Sequence, residues 1–169
     1  TKVTFTYAAN TKLTTQIAGL TFATFKDYNG NAINQPVNVS GFTGRTGTIV
    51  GTPCSGCTDD GRYAYRVVFA TAQRAAGIQR NWNQYARTRF YAEDGSLLAE
   101  FPGTAYVGWF ADDPNDTASY VKRIEMDGVS YQGSLQVGYS DDLIYGAGAI
   151  PEPGTALLFG TGVLGLAGL

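Results

Sequence analysis

Arg62-Tyr63-Ala64-Tyr65-Arg66-Val67-Val68-Phe69 is the stretch on which the fold turns. Tyr63, Tyr65, Val67 and Phe69 recur at every second position, with Arg62, Ala64 and Arg66 between them. Successive side chains of a strand point to opposite faces. The stretch therefore has one aromatic and β-branched face to bury and one basic face to leave near water. It is a strand of a sheet covered on one side.

The same period runs outward in both directions. Val3, Phe5 and Tyr7 alternate with Lys2, Thr4 and Thr6, and Tyr120, Lys122, Ile124 and Met126 with Val121, Arg123 and Glu125. Further strands are expected at 19–25, 37–42, 46–51, 85–91, 96–101, 105–110, 134–139 and 142–145. Turn residues punctuate them: Tyr28-Asn29-Gly30-Asn31, Asp60-Gly61, Asp94-Gly95, Asp112-Asp113-Pro114-Asn115 and Asp127-Gly128. Ala72–Gly77 is expected as a single helical turn. Many short strands at close spacing predict an all-β chain, an antiparallel β-sandwich or jelly roll. Residues 1–146 form that domain, 147–153 a Gly/Pro linker, and 154–169 an apolar tail.

Composition agrees. Charged residues are 15% of the 169, against about 25% in ordinary globular proteins, while Gly, Tyr and Phe are plentiful. Charge is unevenly placed: residues 61–92 hold six arginines and no acid, and residues 93–152 hold eleven acids against Lys122 and Arg123. Either these blocks mingle when the sheets fold, or basic and acidic faces meet between neighbouring subunits. Histidine is absent, which removes the commonest general base, the commonest metal ligand and every Ser-His or Cys-His dyad. The chain begins at Thr1 and carries no basic, apolar leader. Either a signal peptide has been removed or the chain is part of a longer protein, and the cysteines and the tail favour the first.

The tail is chemically unlike the rest. Pro151-Glu152-Pro153 is followed, from Gly154 to Leu169, by sixteen uncharged residues, five of them Gly. As a helix these would span about 24 Å, short of a ~30 Å hydrocarbon core. Gly162, Gly165 and Gly168 would let another backbone approach closely.

At these residues the chain resembles the PEP-CTERM family of exosortase-sorted bacterial proteins, in which a Pro-Glu-Pro motif precedes an apolar span and an arginine cluster. Pro151, Glu152 and Pro153 match the sorting motif and Ala156–Leu169 the span; the sequence ends without the basic cluster. Ala18-Gly19-Leu20-Thr21-Phe22, Phe90-Tyr91-Ala92-Glu93-Asp94-Gly95, Val107-Gly108-Trp109-Phe110 and Tyr139-Ser140-Asp141-Asp142-Leu143-Ile144-Tyr145-Gly146 resemble strands and turns common upstream in such proteins. The resemblance implies a galactose-binding-like jelly roll. It also implies a place on the surface or in the extracellular matrix of a Gram-negative bacterium, often one that makes exopolysaccharide, with exosortase and the membrane as partners during sorting.

Three constellations could carry chemistry. Cys54-Ser55-Gly56-Cys57 lacks the further ligands zinc needs and is read as a disulfide pinning a loop, which suits an oxidising compartment. Asp112, Asp113 and Asp116 are the candidate ligands for a structural calcium, against the plainer reading of a solvated turn; no other cofactor is expected. Trp82, Tyr85, Arg87, Arg89 and Tyr91, the last four on one strand face by parity, with Trp109, are candidates for a glycan or subunit contact. The plainer reading is core packing.

The leading expectation is a non-enzymatic structural protein of the cell surface or matrix, forming an oligomer or filament through its tail. A carbohydrate-binding module attached to exopolysaccharide is the alternative, and a carboxylate-based glycoside hydrolase the second alternative. Nucleic acid is not expected as a partner.

Overall fold

The computed structural model describes residues 1–40, 48–51, 61–81, 84–103 and 106–146. Over these the chain is all β apart from a 3-10 turn at Thr117–Ser119. The strands are β1 (Lys2–Val3), β2 (Lys12–Leu13), β3 (Leu20–Lys26), β4 (Ala32–Gln35), β5 (Val37–Val39), β6 (Ile49–Gly51) and β7 (Ala64–Gln73). They continue with β8 (Ala75–Asn81), β9 (Ala86–Tyr91), β10 (Leu97–Pro102), β11 (Tyr106–Phe110), β12 (Val121–Tyr131), β13 (Ser134–Gln136) and β14 (Tyr139–Gly146).

They make two antiparallel sheets. The first runs β11-β8-β14-β6-β5-β2, with β1 also paired to β14; the second runs β10-β9-β12-β7-β3-β4, with β13 paired to β12. Neither closes into a barrel. Each presents one face to a shared core. Phe5, Leu13, Val37, Val39, Ile49, Ile78 and Leu143 come from the first side, and Leu20, Phe22, Tyr65, Val67, Phe69, Phe90, Ile124 and Met126 from the second. The alternation of Tyr65, Val67 and Phe69 inward and Arg66 and Val68 outward is the one the sequence predicts.

Two expectations fail for instructive reasons. Ala72–Gly77 is not a helical turn: β7 ends at Gln73, β8 begins at Ala75, and the chain bends at Arg74 from the second sheet into the first. Arg74 fixes the corner by donating from Nε to the Ala111 carbonyl (2.9 Å) and from Nη2 to the Asp112 carbonyl (2.8 Å). Nor is Asp127-Gly128 a turn. Both lie inside β12, and Gly128 is needed because a Cβ there would run into the backbone carbonyl of Gln136, at the end of β13. The turn comes later, at Gln132 and Gly133, with φ of 51° and 81°, the left-handed pair of a two-residue hairpin.

Among the described residues no helix is long and apolar enough to cross a membrane. Cys54, Cys57, Trp82, Pro151, Glu152, Pro153 and the tail 154–169 lie outside the described residues.

Candidate functional site

The outward face of β9 carries Arg87, Arg89 and Tyr91, because Ala86, Thr88 and Phe90 take the inward positions. Parity in the sequence places these three correctly. What it could not supply is their neighbours. Register sets Glu100 of β10 beside Arg89 on one flank and Glu125 of β12 on the other, with Asp127 opposite Arg87.

These groups form a cross-strand ion ladder. Arg89 Nε contacts Glu100 Oε2 at 2.5 Å, and its Nη1 donates to Asp127 Oδ2 at 3.1 Å. Lys26 of β3 reaches the same Asp127 oxygen at 2.5 Å, and Arg87 sits 3.8 Å from Glu100. Arg123 Nε lies 2.9 Å from Glu125 Oε1, close enough for an ion pair but not aligned as a hydrogen bond. The arginine-rich and acid-rich blocks thus mingle within one chain on the outer face of the second sheet.

Tyr91 is not an open platform here. The Arg123 guanidinium lies 4.3 Å from its ring centroid, and partial burial, with Glu125 nearby, raises its phenol pKa. Tyr85, just before β9, stacks on Tyr131 at 4.6 Å and 15°. Trp109 is elsewhere. It faces the core from β11 in the first sheet and donates its indole N–H to the Ser119 carbonyl at 2.8 Å. So the structure brings Arg87, Arg89 and Tyr91 together and sets Trp109 apart from them.

Asp112, Asp113 and Asp116 lie in the exposed loop after β11. Asp113 Oδ1 accepts from the Asn115 amide, and Asp116 Oδ2 from the Ser119 hydroxyl. Among the described residues no group of three or more acids, Cys or His is placed to hold a metal ion.

Beneath the ladder is a polar cluster that sequence reasoning missed. Arg80 of β8, only 3% exposed, points into the core. It donates to Thr88 Oγ1 (2.8 Å), the Arg87 carbonyl (3.1 Å) and the Val137 carbonyl, while its Nε has no partner. Burial pulls its pKa below the ordinary arginine value, and the charges of Tyr65 and Asp127 oppose that pull. Tyr65, also fully buried, donates its hydroxyl to Ser140 Oγ at 2.7 Å, and burial pushes its phenol up to about 12.

A second outward aromatic, also missed, is Tyr106 of β11. The inward positions of that strand are Val107 and Trp109, which leaves Tyr106, Gly108 and Phe110 on the outer face of the first sheet. Gly77 lies on the same face, between the core residues Ala76 and Ile78. No signal in the sequence separates Tyr106 from other strand tyrosines, and Gly77 was hidden in the stretch read as helical. No family model, no curated protein and no solved structure matches the chain.

Proposed function

We propose that this chain is a non-enzymatic structural protein of the cell surface or extracellular matrix of a Gram-negative bacterium, retained there by the segment that begins at Pro151. The observation that carries the reading is that segment itself: Pro151-Glu152-Pro153 and then sixteen residues without a charge. It resembles the sorting signal of exosortase substrates. Its apolar, glycine-rich character also suits packing against the tails of other copies, which would make filaments.

The way the segment is attached supports a mechanical role. It follows β14, which lies within the first sheet rather than at its edge, paired with β8 on one flank and with β6 and β1 on the other. At the exit, the Thr1 nitrogen donates to the Tyr145 carbonyl (2.7 Å), the Tyr145 amide donates to the Thr1 carbonyl (2.9 Å), and Lys2 pairs with Asp142 (2.9 Å). A pull on the tail would be shared among several strands. The two-sheet arrangement is read as a jelly roll of the galactose-binding-like kind. The absence of histidine from the sequence and the mutual neutralisation of the outward charges suit a protein that supports rather than transforms.

The test is fractionation of cells making the full chain or a variant with Pro151, Glu152 and Pro153 replaced by alanine. The reading predicts wild-type protein in the envelope or matrix fraction and loss of the variant from it. Equal partition of the two would refute it.

A carbohydrate-binding role is the second reading, and the exposed ring of Tyr106 is the observation that favours it.

A further inference from the structure

Tyr106 is paired with Gln79 across the β8–β11 ladder, yet its ring does not stand up from the sheet. A Cβ placed on Gly77 would come within 2.8 Å of the Tyr106 hydroxyl oxygen and 3.1 Å of its Cε1 and Cζ. The ring therefore lies across β8, in space that any residue larger than glycine would fill. Gly108 is the cross-strand partner of Gly77, so the sheet beside the ring carries no side chains at this pair.

Tyr106 remains 43% exposed. With its phenol end seated on the sheet, the side of the ring turned away from the sheet faces outward. Phe110, the next outward ring of β11 after Tyr106, is covered by the Arg74 guanidinium at 4.6 Å.

Polar groups stand at the far rim. Register sets Tyr106 of β11, Gln79 of β8 and Asp141 of β14 in one row across three adjacent strands, and partial burial, with the charge of Asp142, raises the Tyr106 phenol pKa. Asp142 sits in a bulge of β14 between Asp141 and Ile144, with φ of 44°. Such a bulge re-aims side chains out of the regular pleat. Asp142 Oδ2 accepts from Lys2 Nζ at 2.9 Å, and Asp141, whose Oδ1 accepts from the Asp142 amide at 2.7 Å, is the ladder partner of Gln79.

A seated aromatic ring with carboxylates and an amide along one side suits a sugar. The C–H face of a pyranose can lie on the ring while its hydroxyls donate to the carboxylates, an apolar surface with a few placed polar groups. Charge narrows the class. Two carboxylates against Lys2 would repel uronates and sulfated sugars. The surface is an open sheet face, fitted to a chain lying across it. We propose that the outer face of the first sheet, centred on Tyr106 above Gly77, binds a neutral polysaccharide. This rests on the carbohydrate-binding reading and deepens it by naming the ligand class; it is independent of retention through the tail.

The test is affinity electrophoresis of the full chain in gels containing dextran, mixed-linkage β-glucan or galactomannan, with alginate as the acidic comparison. The proposal predicts retardation by at least one neutral polymer and not by alginate. It predicts binding at least about tenfold weaker in Tyr106→Ala. Tyr106→Phe, which keeps the ring, and Tyr91→Ala, on the opposite sheet, should both bind, and all variants should keep the wild-type circular dichroism. No retardation by any neutral polymer, full binding by Tyr106→Ala, loss in Tyr106→Phe as well, or loss in Tyr91→Ala would each overturn it.

Discussion

Asp127→Asn removes one charge and almost no volume, and the structure says why it should be costly. The Asp127 side chain is 3% exposed and holds Lys26 at 2.5 Å and Arg89 at 3.1 Å through the same oxygen. Its other oxygen accepts from the Gly128 amide at 2.8 Å, a bond that asparagine can keep. Lys26 and Arg89 are 36% and 26% exposed, so each can turn partly to water, and pairs of that kind contribute about 1 kcal/mol or less. The carboxylate itself is buried and serves both cations at once, so neutralising it removes two such pairs together, at a cost of about 1–2 kcal/mol. Urea denaturation at neutral pH, followed by tyrosine and tryptophan fluorescence, measures it. Because Lys26 makes the shorter of the two contacts, Asp127→Asn combined with Lys26→Met should cost less than the sum of the two single changes. No measurable loss for Asp127→Asn, or strict additivity in the double variant, would refute the reasoning.

Other outcomes follow from buried groups of the same core. Tyr65 has a folded pKa of about 12 against an unfolded value of 10.0, with burial the main cause. Its contribution is complete below pH ~10 and is lost between about pH 10 and 12, as the unfolded chain ionises first, at roughly 1.4 kcal/mol per pH unit. Tyr65→Phe should flatten that part of the stability–pH curve and cost about 1 kcal/mol at neutral pH through the lost bond to Ser140; an unchanged alkaline slope would count against it. Gly128→Ala forces a methyl against the Gln136 carbonyl and should cost about 1–3 kcal/mol by overpacking. It should also weaken the near-ultraviolet dichroism of the Tyr85–Tyr131 stack, and a neutral effect on both would show that the backbone approach is not tight.

The strands were legible because burial on one face imposes period two. β3, β7 and β9 each bury the residues that alternation selects, and Gly30 and Gly95 take positive φ where the turn residues cluster. What was not legible depends on distant parts of the chain. Ala72–Gly77 has helical composition, yet Arg74 is held by carbonyls 37 and 38 residues away and Gly77 is shaped by Tyr106. Asp127-Gly128 reads as a turn by composition, but its carboxylate answers Lys26 and Arg89, and its glycine answers Gln136. At the site, parity gave the outward face of β9 but not the cations and acids that register sets beside it. A bulge such as that at Asp142 leaves no mark in the pattern on either side.

The claim that the segment after Pro153 is what gathers and holds this protein has a direct test. Native material with and without residues 154–169 can be compared by sedimentation velocity and negative-stain microscopy. The account predicts large assemblies or filaments for the full chain and folded monomers for the shortened one. Assemblies of the same size from both would contradict it.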